Sequence, residues 1–251
     1  MKDGLFVHGL ICQLGIPLIL PIPDDISCHC GIVLQNVDLL SPDAMDADGQ
    51  ATNLQPYRLM EEPLHPLYCR RTGRAGMRQI RHDRIAKIVQ RQVVGLYHNA
   101  TATSEPMINQ NSEKRGDIRI IAGGKQIILD VMVTCPAAPS MVSRHNSHLI
   151  PGVAAAHGVK KKNDKYLPDL PPNTEFVPFV IETGGRRAKT TYEWLDSFWK
   201  DVAEERTRKL RQAAVRTLCV DVQRQLFYSN ANMLYKFAHS LTAIRMSSAA
   251  H

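Results

Sequence analysis

Asp117 and Asp130 are the residues of this sequence best spaced to do chemistry together. Between and beyond them run two β-branched stretches, 118–122 and 126–134, separated by Gly123-Gly124, the composition of a two-residue hairpin turn. In such a hairpin Ala122 faces Lys125, and counting back along both strands sets Asp117 opposite Asp130. Directly opposed side chains have Cβ atoms about 4.5–5.5 Å apart, so two carboxylates there repel unless a positive charge intervenes. A divalent cation is one candidate. Arg119, next along the same face, is the other, and it would make the acids an ordinary surface ion cluster. Period-two alternation puts Ile118, Ile120, Ile127, Leu129, Val131 and Val133 on the opposite, wholly apolar face.

A second constellation precedes the first. Cys28, Cys30, His65 and Cys69 offer three thiolates and one imidazole, a set suited to structural tetrahedral Zn²⁺, with His29 as a competing ligand and a buried reduced cysteine pair as the plainer alternative. A closed four-ligand site leaves no open position for chemistry, which assigns it to folding and docking. The six cysteines are irregularly spread, and two stand one residue apart, which suits a reducing compartment and a metal better than a disulfide framework.

Charge suggests the substrate class. The 251 residues carry 31 Lys and Arg against 24 Asp and Glu, a net +7, and the excess is concentrated. Arg70, Arg71, Arg74, Arg78, Arg81 and Arg84, followed by Lys87 and Arg91, share their stretch with one acid, Asp83, whereas 38–62 is acidic. As a block the basic run points to a phosphate backbone, although any single arginine could belong to a solvated helix face. Hydrophobic content of 44% with 22% charged residues is that of a folded globular chain and not of a disordered one. The apolar stretch Leu10 to Pro23 contains Gln13 and three prolines and is shorter than the roughly 20 residues a bilayer needs, so a core segment is expected there and no membrane anchor.

The elements that must position these residues follow from periodicity. Ile85, Ile88, Val89, Val93 and Leu96 predict a helix over about 80–97, with the basic residues on its other faces. Residues 136–152 read as a loop, 153–166 as a helix carrying Lys160, Lys161, Lys162 and Lys165, and Phe176 to Glu182 as a strand interrupted by Pro178. Thr190 with Glu193 makes a capping box opening a further helix, and Leu195, Phe198, Val202, Leu210, Ala214 and Leu218 continue the helical pattern. The expected architecture is α/β, in three parts: a zinc-bearing segment with an acidic loop over 1–78, a mixed-sheet core over 79–200, and a helical extension over 201–251.

The acids, taken with the rest of the chain, resemble a known family. Arg115-Gly116-Asp117, twelve residues, then Asp130 within Ile-Leu-Asp-Val looks like the signature of the restriction-like endonuclease domain of non-LTR retrotransposons, a branch of the PD-(D/E)XK nucleases. Cys-x-Cys-Gly at Cys28 to Gly31, His-x-x-x-Cys at His65 to Cys69 and Arg81-His82-Asp83 are similar to the segment preceding that domain. Lys162-x-x-Lys165-Tyr166 and the block from Phe176 through Glu182 resemble its later motifs. The resemblance implies a restriction-endonuclease-like core in which Asp117 and Asp130 hold Mg²⁺, with Lys162, Lys165 and Glu182 as further catalytic residues. It also implies double-stranded DNA and element RNA as partners, no small-molecule cofactor, a nuclear site of action, and nicking of target DNA for insertion. Three departures stand out. Gly116 replaces the usual proline and is expected to loosen the backbone at Asp117, Met132 stands where such sites have lysine, and no polymerase motif is present. A DNA-binding remnant without activity, or a zinc-dependent protein-interaction module, would keep some of these features and not others.

Overall fold

A computed structural model of the chain describes residues 27–28, 57–58, 67, 74–97, 99–109, 112–147, 149–200 and 202–248. The chain divides into two compact units, one spanning Arg78–Asn230 and one made of 1–77 together with 231–251. In the latter, β1 (Ser27–Cys28) and β2 (Tyr57–Arg58) pair antiparallel, and Leu67 is buried. The zinc set falls mostly outside the described residues, since only the backbone of Cys28 is described, and so do Arg70 and Arg71.

The larger unit is mixed α/β. Its sheet has four strands in the order β3 (Thr101–Ser104), β4 (Ile118–Ala122), β5 (Lys125–Thr134), β6 (Thr174–Glu182), the first two pairings antiparallel and the last parallel. Five α-helices are described: α1 (Arg74–Val94), α2 (Pro139–His145), α3 (Val153–Tyr166), α4 (Lys189–Lys200) and α5 (Glu205–Ser248). None is long and apolar enough to cross a membrane.

The central hairpin forms where the glycines predict it. Gly123 and Gly124 have φ of +54° and +76°, both left-handed, which glycine adopts without a Cβ clash, and Ala122 pairs with Lys125. Alternation then sorts the two faces. Ile118, Ile120, Ile127, Leu129 and Val131 enter the main core with Ile85, Val89 and Val93 of α1, Trp194, Leu195 and Phe198 of α4, and Val215, Leu218, Val222 and Leu226 of α5. The other face is covered by α3: Ile128 packs with Ile108 and Tyr166, and Val180 with Ala155, Met132 and Val159. Strands β5 and β6 are thus buried on both sides, which is why their sequences read as apolar runs.

Several expectations change. Helix α1 begins at Arg74, before the apolar periodicity, and the stretch read as loop holds the short helix α2, opened by Pro139 in the first turn. Pro178 does not interrupt β6. The strand lies at the sheet edge with the missing N–H of Pro178 on its outer side, where the buried Thr191 hydroxyl donates to Pro178 O at 3.2 Å and accepts from Val180 N at 3.1 Å. Helix α4 starts at Lys189, which places Thr190 inside it, and Glu193 pairs with Lys189 at 3.6 Å in place of a capping box. Leu210 and Ala214 are exposed, whereas the first half of α5 belongs to the main core, so the compact unit runs past the expected boundary at 200 to Asn230.

Candidate active site

The two acids lie near enough, at the end of the β4–β5 pairing, for the charge of one to act on the other. Asp130 lies between Ile128 and Met132 on the α3 face and is 2% exposed. The β4–β5 ladder ends at Ile118 opposite Leu129, and Asp117 sits at a bend just beyond it. There the Asp117 side chain takes over the strand's work: Oδ2 accepts the Val131 N–H at 2.6 Å while the Asp117 N–H donates to Leu129 O at 3.1 Å. The carboxylate is therefore fixed by the neighbouring strand. Burial first, and the nearby charge of Asp117 second, raise the Asp130 carboxyl above the ordinary carboxylate range.

Gly116 tightens this corner where looseness was expected. Its N–H donates to Pro106 O at 3.0 Å, a bond proline cannot make, and a Cβ built on it would lie 2.6 Å from Ile128 Cγ2. On either side, the Tyr166 hydroxyl donates to Arg115 O at 2.8 Å and the Glu105 N–H donates to Asp117 O at 2.9 Å. The backbone of 115–117 is pinned at every residue.

Each acid has its own cation. Lys162, one face of α3 below Ala155 and Gly158, sets its ammonium against Asp130 Oδ2. Gly158 allows the approach, because a Cβ there would lie 2.9 Å from Val180 Cγ1 and 3.2 Å from Met132 Sδ. The lysine thus arrives from the helix packed over Met132. Asp117 is met by His82 of α1, whose Nε2 lies 3.0 Å from Asp117 Oδ2 and 3.0 Å from Val131 O, while Nδ1 lies 3.0 Å from Asp83 Oδ1. All three partners are acceptors, so both ring nitrogens donate and the imidazolium is favoured. Asp117, chiefly through its hydrogen bond, raises the His82 pKa to about 9. That contact contributes its full stability below the ordinary imidazole pKa and loses it as pH rises through about 9.

No family model and no curated protein matches this chain.

The remaining expected site residues divide. Lys165 joins the edge of the cluster, donating to the Tyr166 hydroxyl at 2.8 Å with its ammonium 4.4 Å from the ring centre. Glu182 does not join it. Glu182 pairs in register with Thr134, four residues along the sheet from Asp130, about 13 Å at strand spacing. Its Oε1 accepts the Ala155 N–H at 3.2 Å at the start of α3, which Gly152 leaves without a side-chain cap, so its work is to satisfy that helix end. Arg119 donates to Thr103 Oγ1 at 3.3 Å, away from both acids, which removes the surface-ion-cluster alternative.

The arginine run also divides. Arg84 is exposed, Arg78 is half-buried, and Arg74 begins α1. Arg81 is 3% exposed and points inward, donating to Asn230 Oδ1 at 2.7 Å while Asn230 holds Thr183 O at 2.9 Å. Burial lowers its pKa to about 10, the mark of a guanidinium used inside the fold and not offered to a phosphate. The residue that sequence reasoning left without a role is His82. The signal was present, because His82 lies three residues before Ile85 on the apolar stripe of α1.

Chemically, the cluster offers two hard oxygen donors that repel one another and an ammonium beside them. Among the described residues no three His, Cys, Asp or Glu side chains come together as a metal-holding group. Two carboxylates with water and a substrate phosphate completing the shell is the arrangement Mg²⁺ ordinarily takes, so Asp117 and Asp130 fit that ion.

Proposed function

We propose that the chain is a Mg²⁺-dependent DNA endonuclease of the restriction-like kind, with a restriction-endonuclease-like core, nicking target DNA for the insertion of a non-LTR retroelement in the nucleus. One observation carries the reading: the Lys162 ammonium stands against Asp130, beside Asp117, although it comes from α3 and not from the position held by Met132. Bound Mg²⁺ would polarise a scissile phosphate and acidify a water molecule. The chain's residues do the rest. Asp117 and Asp130 hold the site's geometry, Lys162 offers positive charge to the phosphorane oxygens, and Lys165 with Tyr166 steadies the edge where the backbone enters. Double-stranded DNA is the substrate, and the exposed members of the basic run, with element RNA as a second partner, remain part of the proposal.

A plasmid-nicking assay tests the activity: relaxed circles should accumulate with Mg²⁺ and not with EDTA, and supercoiled plasmid persisting in both conditions would rule the enzyme out. One observation favours the second reading, a DNA-binding remnant without catalysis: both acids already have cationic partners, His82 and Lys162. Duplex binding without nicking would decide for it. Zn²⁺ at Cys28, Cys30, His65 and Cys69 completes the proposal. Elemental analysis should find one zinc per chain in protein purified without chelator, and zinc-free folded protein would remove that part.

A further inference from the structure

A row of basic side chains crosses the outer side of α3 and leads to the acid pair. His157, Lys161 and Lys165 recur every fourth residue and share one helix face, successive members about 6 Å apart along the axis. At one end His145, in the last turn of α2, packs its ring on His157 with centroids 4.3 Å apart, next to the exposed Arg144. At the other, Lys165 donates to the Tyr166 hydroxyl that holds Arg115 O, two residues from Asp117.

Among the described residues no acid forms an ion pair with Arg144, His145, His157, Lys161 or Lys165. The carboxylates of that neighbourhood are engaged elsewhere. Asp164 holds Lys160 at 2.6 Å, and Glu182, at the first turn of α3, takes the Ala155 N–H and lies 3.8 Å from Arg186. Arg144, Lys161 and Lys165, gathered without acids on an open face, build a positive potential that an anion would relieve.

We propose that this α2–α3 face is the track along which the DNA backbone lies on its way to Asp117 and Asp130, an inference that rests on the DNA-cutting reading above. A consequence follows for protons. Burial, and then His145, Lys161 and Lys160, hold His157 below the ordinary imidazole range. A phosphate laid beside it offsets those neighbours, so binding takes up a proton and tightens as pH falls.

The test is anisotropy of a labelled duplex with the full chain, without added Mg²⁺, at several salt concentrations. Wild-type affinity should rise about three- to tenfold from about pH 8 to about pH 6, and the pair His145→Asn/His157→Asn should lose that rise. Arg144→Ser/Lys161→Ser should bind at least about fivefold more weakly at about 0.1 M salt, with a salt slope shallower by roughly two. All four positions are exposed or half-buried, and melting curves confirm that the variants fold. A wild-type pH response in the first variant, or wild-type affinity and slope in the second, overturns the track and leaves the nuclease reading standing. No duplex binding by the wild type would overturn both.

Discussion

Asp130→Asn is expected to abolish Mg²⁺-dependent nicking, by at least about a hundredfold or roughly 2.7 kcal/mol in the barrier, and to make the Mg²⁺-free protein more stable at neutral pH. The stability half follows from where the carboxyl sits. Asp130 is 2% exposed, and burial with the Asp117 charge outweighs the attraction of Lys162, so its folded pKa lies above the unfolded value. The folded state then binds the proton more tightly. Stability falls as pH rises from the unfolded pKa of about 3.9 through the raised folded one, and the loss is complete above both. Asparagine keeps the shape and removes the charge. Melting curves without Mg²⁺ should therefore coincide near pH 3 and separate at pH 7, with the variant a few degrees higher. A variant that melts lower at pH 7 would show that the Lys162 pair stabilises the fold on balance.

The same balance bears on metal entry. His82 with Asp117 and Lys162 with Asp130 make a cluster whose charges nearly cancel, although Asp83 adds an exposed acid behind the imidazole. An incoming Mg²⁺ would compete with these two cations for the same oxygens. Lys162 is the one able to move, being a long side chain that is 20% exposed, whereas His82 is also tied to Val131 O and Asp83. A lysine displaced from Asp130 would be free to meet a phosphate, the task proposed for it.

The central hairpin was legible because two independent signals agree on its register. Gly123-Gly124 sets the turn, and the alternation from Ile118 to Val133 admits no one-residue slip without burying Asp130 in the main core. The helix over α3 was legible in extent, and its lysines were found through the resemblance. What covers a sheet face, however, is tertiary. Nothing local in Asp130 or Lys162 states that Gly158 lets α3 close on Val180. A block of charge says nothing of helical phase, and phase decides Arg81. It stands four residues before Ile85 on the stripe that turns inward, and there a guanidinium serves Asn230. Glu182 is the complementary case: a strand-end acid is exposed in sequence terms, but a helix terminus lies beside it and takes its carboxylate.

Lys162→Met should cost more stability than any change of its partner, because the two ends of the pair are unequal. Removing Asp130 leaves an ammonium that can turn to water; removing Lys162 leaves a carboxylate 2% exposed, still repelled by the charge of Asp117, with no cation against it. Such a half-broken buried pair costs about 3 kcal/mol. The Asp130 carboxyl should shift further upward, so the loss is largest at neutral pH and shrinks in acid, where the group is protonated in both folded and unfolded chains. Nicking should be lost as well. The double variant Lys162→Met/Asp130→Asn separates the two roles: with no buried charge left, its stability should return to within about 1 kcal/mol of Asp130→Asn alone while nicking stays absent, a coupling well outside additivity. Denaturant melts of the four proteins without Mg²⁺ give the cycle directly. Additive costs would mean that the ammonium and the carboxylate do not meet in solution, and a double variant that still nicks DNA would place the chemistry elsewhere.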